Sequence, residues 1–279
     1  MKQVKWITVV VGVALASTVR ADPPVTFEAA GANAAAITAA RDAFRTAVGG
    51  GTVAGANGSF GGLRREINWD GVPDAQADPN PLAANFFNVN SPRGVVFNTP
   101  GTGFLVSANA GQSAPVLFGF PSDFQVFSPQ RLFTAVNSNI TDVRFFVPGT
   151  NTATTTSAFG LVFVDVEVAG STRLQFFDAN GVQLYSHDAL AAGNQGLTFL
   201  GAVLDTAAIA RVRITSGSNT IVANGVLGNQ IDDVVVMDDF LYAEPLVAAP
   251  VPEPSTVAMM GLGLLGAFAA RRRRGERSR

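Results

Sequence analysis

The sequence predicts a mainly β fold, an antiparallel β-sandwich of jelly-roll type that carries one amino-terminal α-helix. Ten short apolar runs, divided by turn residues, follow one another after residue 93. Neither a helical period nor an internal repeat occurs in that part of the chain. Between the two ends of the chain lie about 230 residues, which is enough for one sandwich with its own core. Two packed antiparallel sheets bury that many short strands most simply.

The amino end has the composition of a secretory signal peptide. Lys2 and Lys5 precede an apolar run at 6–16 that is too short for a stable membrane span. Small residues allow cleavage after Ala16 or Ala21, and we favour Ala21 because Asp-Pro-Pro follows it; an uncleaved anchor is the alternative. The predicted organisation is a signal peptide at 1–21, a helix and Asn-Trp-Asp-Gly loop region at 22–92, a β-sandwich at 93–246 that forms one globular domain with that region, and a tail at 247–279.

The helix is predicted at 29–48. Apolar residues recur at spacings of three and four from Ile37 to Val48, while charged residues occupy positions away from that face. Three glycines at 49–51 end the pattern, since glycine accepts the left-handed conformation that a helix end favours. We expect this helix to cover an edge or a face of the sheet.

The strands are predicted from apolar runs that lie between turns. The sequence Asp-Ala-Asn-Gly at 178–181 is typical of a hairpin turn. The run 159–168 begins apolar on both of its faces, which indicates a central strand. The predicted strands are 94–98, 104–108, 131–136, 142–147, 159–168, 173–178, 182–186, 197–204, 210–215 and 234–242.

The body of the chain is acidic and has no cysteine. Residues 22–251 contain 10 arginines, no lysine and 19 acidic residues, which gives a net charge of −9. A surface of this charge repels nucleic acid and anionic lipid, so neither is expected as a partner. Without cysteine no disulfide can form, and with a single histidine a conventional zinc site is not expected. Stability must therefore come from burial, helped at most by a bound ion.

The carboxyl end is typical of a short membrane tether. Residues 255–270 carry no charge, and as a helix they would cover roughly 24 Å of a hydrocarbon core that is about 30 Å thick. Prolines at 252 and 254 keep the approach to this run extended and open to a protease. An arginine cluster after the run places the tail inside and the body outside; its members are Arg271, Arg272, Arg273 and Arg274. An ordinary, uncut tail anchor is the alternative.

The Pro-Glu-Pro triplet, the glycine-containing apolar run and the arginine cluster resemble, over residues 252–279, the PEP-CTERM sorting signal of Gram-negative bacteria. The resemblance implies that Pro252, Glu253 and Pro254 are recognised by exosortase, a membrane-embedded cysteine protease that removes the tail. It also implies transient contact with the inner membrane through the tail, followed by residence at the cell surface or in the exopolysaccharide matrix.

Two sets of aspartates are candidate calcium ligands, since calcium takes several carboxylate and carbonyl oxygens on flexible loops. Asp70, Asp74 and Asp78 lie in a long loop before residue 93, where turn formation is the alternative. Asp238 and Asp239 lie in the last strand, where edge protection is the alternative. Because successive strand residues point to opposite faces, we expect these two to lie on opposite sides of the sheet.

Trp69, in the same long loop, is the one candidate platform for a sugar ring. Its alternative role is that of a buried anchor that holds the loop. His187 is the only histidine and stands between Ser186 and Asp188. Neighbours on an extended strand point away from each other, so these three do not form a nucleophilic triad. We predict no catalytic residue and interpret His187 as a polar residue at the end of a hairpin.

These features together predict an exported, non-enzymatic protein with a structural or adhesive role at the cell surface or in the extracellular matrix. The alternative is a calcium-assisted carbohydrate-binding module that uses Trp69. A secreted hydrolase is the third class. The expected address and the expected partners, exosortase and exopolysaccharide, follow from the resemblance of the tail and not from residues of the body.

Overall fold

The computed structural model describes residues 22–109, 116–221 and 232–247. The predicted signal peptide at 1–21, the Pro252-Glu253-Pro254 triplet and the arginines at 271–274 lie outside the described residues. Within the described ranges, no helix is long and apolar enough to cross a membrane.

The described residues form mainly strands, with helix α1 at Ala34–Val48 and helix α2 at Phe86–Val89. Single turns of 3₁₀-helix occur at Ala56–Gly58, Asp74–Gln76 and Leu117–Gly119. The strands are β1 (Val25–Gly31), β2 (Ser59–Phe60), β3 (Arg64–Ile67), β4 (Val95–Asn98), β5 (Gly103–Val106), β6 (Phe133–Val136), β7 (Ile140–Phe145), β8 (Ala158–Val164), β9 (Arg173–Phe177), β10 (Gln183–Asp188), β11 (Leu197–Val203), β12 (Arg211–Thr215) and β13 (Val236–Ala243).

In the part of the chain that the structure describes, the strands form two antiparallel sheets. The larger sheet has the order β1-β11-β8-β13-β3-β2, and β6 joins it beside β13 and carries β5. The smaller sheet has the order β10-β9-β12-β7-β4. The predicted mainly β sandwich with one long helix is therefore confirmed, and all ten predicted strands correspond to observed ones, from β4 to β13.

The larger sheet is the middle layer of the molecule because both of its faces are covered. On β8, Phe159 and Leu161 pack into the core between the two sheets. Val162 of the same strand belongs to a second core on the opposite face, together with Ile37 and Phe44 of α1. All residues of β8 are buried, and the strand lies between β11 and β13. Its apolar sequence therefore reflects the central position that was predicted.

The chain enters α1 directly from β1. Strand β1 pairs with β11 along its whole length, so the helix begins at Ala34 and not at the start of the predicted range, 29–48. The corner is tight, since a Cβ at Gly31 would lie 2.4 Å from that of Ala36. Asn33 caps the helix, and its side chain accepts a hydrogen bond from Ala36 N at 3.3 Å. Helix α1 packs on β1 and β11 and so covers one face of the larger sheet.

Candidate functional site: a charged cleft beside the first helix

The last strand, β13, contains a β-bulge at its pair of aspartates. Against β8, Asp238 lies opposite Val162 and Phe240 lies opposite Leu161, so Asp239 is the extra residue. A bulge of this kind bends the strand and interrupts the alternation of its side chains. Bulges are frequent beside functional sites because they re-aim a side chain.

The bulge turns both aspartates toward the side of α1. Met237 and Phe240, which flank them, both pack into the core between the sheets. Asp238 contacts the loop that carries Phe127, and Asp239 lines a cleft next to α1. The prediction that the two aspartates lie on opposite sides of the sheet is therefore wrong, because the extra residue breaks the alternation on which that prediction rested.

Asp238 fastens a loop to the sheet. Its Oδ2 accepts hydrogen bonds from Phe127 N at 2.7 Å and from Ser128 N at 3.2 Å. Its Oδ1 accepts from the Ser128 hydroxyl at 3.0 Å and from Asp239 N at 2.8 Å. Burial raises the pKa of Asp238 well above its ordinary value, the charge of Asp239 adds to this, and the hydrogen bonds oppose it. The two oxygens thus hold the 127–128 loop against the bulge of β13.

Asp239 is also buried, with 5 % of its surface exposed, but its oxygens are not satisfied in the same way. Its Oδ1 is fully buried and has no hydrogen-bond partner among the described residues. Burial raises the pKa of Asp239, the hydrogen-bonding groups of Ser128 and Asp238 oppose the shift, and the charge of Glu66 adds to it. A buried acceptor without a partner is unfavourable, and a ligand that donated a hydrogen bond there would relieve it.

The cleft beside Asp239 has a volume of about 670 Å³. This lies within the range of roughly 300–1,000 Å³ that is usual for small-molecule sites. Helix α1 forms one wall, strand β3 forms another, and the loops 52–58 and 127–129 contribute to the remaining sides. The charged side chains of the lining are Arg41, Arg45, Glu66, Arg93 and Asp239.

The second acid of the cleft, Glu66, is neutralised by arginines. Arg45 donates from Nε and Nη2 to the two carboxylate oxygens at 2.8 and 2.6 Å, and Arg64 donates from Nε at 2.7 Å. Burial lowers the pKa of Arg45, but the hydrogen bond and the charge of Glu66 outweigh burial and raise it overall. Glu66 therefore links α1 to β3, whereas Asp239 has no ion pair within the described ranges.

Two further arginines line the cleft and stack on aromatic rings. Arg41 donates from Nε to Asp42 at 2.7 Å, and its guanidinium lies 4.9 Å from the centre of the Phe127 ring. Arg93 lies over the Phe87 ring at 5.0 Å, and burial lowers its pKa. The Nε of Arg93 is buried without a partner among the described residues. As far as the structure describes the chain, the lining thus contains a buried unpaired acceptor on Asp239 and a buried unpaired donor on Arg93.

Trp69 belongs to the core and not to the surface. It is 1 % exposed, its ring stacks on Phe133 at 4.1 Å between centroids, and it makes T-shaped contacts with Phe87 and Phe240 at 5.4 and 5.0 Å. A sugar platform needs an open ring face, and Trp69 does not present one. The expectation that Trp69 contacts a ligand does not fit this packing. The packing favours the alternative role, a buried anchor of the long loop.

The aspartates of that loop are arranged around an arginine. Asp70 accepts hydrogen bonds from Arg131 N at 3.3 Å and from Asn68 at 3.0 Å, and Asp74 pairs with the buried guanidinium of Arg131 at 2.5 Å. Burial raises the pKa of Asp70 to about 6 and raises that of Asp78. Among the described residues, no group of three or more His, Cys, Asp or Glu side chains is placed to hold a metal ion. Calcium binding at Asp70, Asp74, Asp78, Asp238 or Asp239 remains a prediction from sequence.

His187 joins the two sheets at one edge of the sandwich. Its Nε2 lies 2.9 Å from the carboxylate of Glu28 on β1, and the neighbouring Tyr185 hydroxyl lies 3.1 Å from that of Thr26. Asp188 pairs instead with Arg173 at 2.5 Å. The side chain of His187 therefore has a cross-sheet partner that the sequence did not predict.

Sequence reasoning selected Asp239 but missed the rest of the cleft. Arg41 and Arg45 stand one helical turn apart on the face of α1 that is not apolar, a pattern that is also typical of a solvated surface. Glu66 falls within the loop region predicted at 22–92, and Arg93 stands just before the first predicted strand. Two aspartates within an otherwise apolar strand are the signal that could have led to the cleft, because such acids are rarely buried without a partner.

Residues 250–274 match the family model of the PEP-CTERM protein-sorting motif. The chain carries a PEP-CTERM sorting motif. Its prediction from the Pro-Glu-Pro triplet, the apolar run and the arginines is confirmed. The PEP-CTERM motif is recognised by exosortase and marks an exported protein that is directed to the cell surface. A comparison with curated proteins gives no match.

Proposed function

We propose that this PEP-CTERM protein has a non-catalytic, structural or adhesive role at the cell surface or in the surrounding exopolysaccharide matrix. One observation on the body carries the proposal. Its buried charged side chains hold long loops to the sandwich, as Asp238 does at the bulge. These side chains thereby hold the loops in place, as disulfides do in many exported domains.

A buried acid, Asp233, and a partly buried ion pair, Arg65 with Glu244, support this interpretation. Asp233 accepts hydrogen bonds from Glu167 N and Val168 N, both at 3.2 Å, and from the Ser171 hydroxyl at 2.5 Å. Arg65, at the start of β3, binds both carboxylate oxygens of Glu244 at distances of 2.7 to 3.0 Å. These contacts fasten a loop and the end of the last strand. A body fastened in this way suits a protein that persists outside the cell.

The disposition of carboxylates also favours a non-catalytic body over a hydrolase. Hydrolysis by paired carboxylates needs two of them free to face one substrate. Glu66, in the cleft, is bound by Arg45 and Arg64. Asp238, next to the cleft residue Asp239, uses both oxygens on backbone and hydroxyl groups. Asp239 alone is left with an unpartnered oxygen among these three acids.

The tail supplies the route to the surface. We infer that residues 255–270, which carry no charge and would cover roughly 24 Å as a helix, hold the protein in the inner membrane until exosortase acts. From the sequence, the prolines at 252 and 254 disfavour a helix in the strip that precedes this run. Release of the tail then delivers the body to the outside.

The mass of the protein recovered from culture medium and from cell envelopes tests this route. We expect the wild-type chain to lack both the signal peptide and the tail. A variant with alanine at Pro252, Glu253 and Pro254 should keep the tail and remain in the inner membrane. Matched alanines at 276–278, beyond the arginine cluster, should leave processing unchanged. Recovery of the intact wild-type chain from the inner membrane or the cytosol would contradict the proposal.

The role of the body is tested separately. Cells that lack the protein should lose cohesion or surface attachment, and addition of processed protein should restore it without release of soluble sugars or peptides from the matrix. Restoration that depends on such release would overturn the non-catalytic role and favour a hydrolase.

A further inference from the structure

We propose that the cleft between α1, β3 and the 127–129 loop binds a neutral, hydroxyl-rich ligand, a saccharide unit, whose hydroxyls donate hydrogen bonds to Asp239. The inference stands on the cleft and does not depend on the structural or adhesive role proposed above. It differs from the sugar site expected at Trp69, which is buried in the core.

The first support is the state of Asp239. It is more than nine-tenths buried and lines the cleft, and its Oδ1 has no partner among the described residues. Its neighbour Asp238, equally buried on the same strand, has partners for both oxygens. Burial alone therefore does not explain the unpaired oxygen. The bulge places the Asp239 side chain in the lining of the cleft, where the 5 % of the residue that is exposed meets the open volume.

The second support is the balance of charge in the lining, which decides the class of ligand. Arg41, Arg45 and Arg93 disfavour a cation. An anion would have to approach the carboxylate of Asp239, which lacks an ion pair within the described residues. A hydroxyl group avoids both conflicts because it donates and accepts at one atom. Adjacent sugar hydroxyls can donate to Asp239 and accept from an arginine of the same lining.

The third support is the mixture of surfaces in the cleft. Phe60 and Phe127 line it beside the charged groups. A sugar ring has polar edges and apolar faces, so it uses both kinds of surface, whereas a small ion uses only one. The volume of about 670 Å³ is in the range of roughly 300–1,000 Å³ expected for a small-molecule site.

The experiment uses the processed protein and defined probes. Neutral trisaccharides of glucose, galactose, mannose and N-acetylglucosamine are compared with trigalacturonate by calorimetry, with thermal melting of each variant measured in parallel. We expect a neutral probe to bind, and Asp239→Asn to weaken that binding roughly tenfold or more, because the amide replaces an oxygen that accepts from the ligand.

Melting separates a binding role from a structural one. Asp239→Asn should melt at the wild-type midpoint or above, since it removes a buried charge that has no ion pair. Asp188→Asn, an exposed carboxylate outside the cleft, should change neither binding nor melting. Ala54→Trp, which fills the cleft from its exposed wall, should abolish binding and keeps the test valid if Asp239→Asn fails to fold.

Three results would overturn the inference. The first is that none of the neutral probes binds. The second is binding that survives both Asp239→Asn and Ala54→Trp. The third is binding of trigalacturonate alone, lost in Arg41→Gln but kept in Asp239→Asn, which would assign the cleft to an anion.

Discussion

Asp238 and Asp239 are adjacent, buried and chemically identical, yet the structure uses them differently. Asp238 accepts hydrogen bonds from the 127–128 backbone, from a hydroxyl and from the bulge itself. Asp239 lines the cleft and keeps a buried oxygen that has no partner in the described part of the chain. One extra residue in β13 produces the difference. Whether a buried acid anchors a loop or is available to a ligand therefore depends on its hydrogen-bond partners more than on its burial.

The largest loss of stability is expected from a second buried aspartate, Asp233, which anchors a loop as Asp238 does. Asp233→Ala removes the acceptor of Glu167 N, Val168 N and the Ser171 hydroxyl. We expect a loss of about 2–4 kcal/mol in the free energy of unfolding, because buried donors are left unpaired. Urea denaturation measures it.

The matched control for that loss is Asp188→Ala, which breaks an exposed ion pair with Arg173. Its free energy of unfolding should change by less than about 1 kcal/mol. Similar losses of unfolding free energy in the two variants would show that a buried aspartate that anchors a loop contributes no more than an exposed one.

A smaller effect is expected from pH. Burial raises the pKa of Asp165 to about 7, with the charges of Glu167 and Asp233 adding to it and the hydrogen bond from Gln195 N opposing it; burial also raises that of Asp70 to about 6. Since their unfolded pKa lies near 3.8, the folded state binds more protons between these values. Stability should therefore be highest below this window and fall as pH rises from about 4 to 7.

The urea midpoint at pH 5, 6, 7 and 8 checks the sign of this dependence. Asp165→Asn should flatten the profile, because an amide does not titrate. Asp178→Asn, in the turn between β9 and β10, provides the comparison. A midpoint that rises steadily from pH 5 to pH 8 would contradict the prediction.

The smallest effect is expected from calcium. Asp70 and Asp74 already contact Arg131, so an ion would have to compete with a guanidinium. We expect the melting midpoint to be the same, within error, in calcium and in a chelator. A clear rise in calcium would support the site predicted from sequence and would show that these aspartates are not only loop fasteners.

The sandwich itself could be predicted because its strands alternate apolar and polar residues or are apolar throughout, as β8 is. Strand β1 was missed, since its alanines and glycine run without interruption into α1 and resemble a helix. Strand β3 was missed because Arg64, Arg65 and Glu66 read as a loop. Arg64 is nevertheless buried, because Glu66 and backbone carbonyls of the 49–51 turn satisfy its guanidinium.

The candidate site could be predicted only in part. Asp238 and Asp239 could be selected as acids in an apolar strand, but the bulge depends on how β13 pairs with β8 and leaves no mark in the sequence. The other charged residues of the cleft come from α1, β3 and residue 93, far from β13 in the sequence. Trp69 could be selected as the one tryptophan of the body, yet its burial depends on phenylalanines from β4, β6 and β13.

The most direct test is the urea unfolding of Asp238→Asn and Asp239→Asn, measured side by side at pH 7. We expect the free energy of unfolding of Asp238→Asn to fall by about 2 kcal/mol or more, since an amide nitrogen cannot accept from the 127–128 backbone. We expect Asp239→Asn to be as stable as the wild type or slightly more stable. Equal losses in the two variants, or a larger loss in Asp239→Asn, would contradict the different roles of the two aspartates.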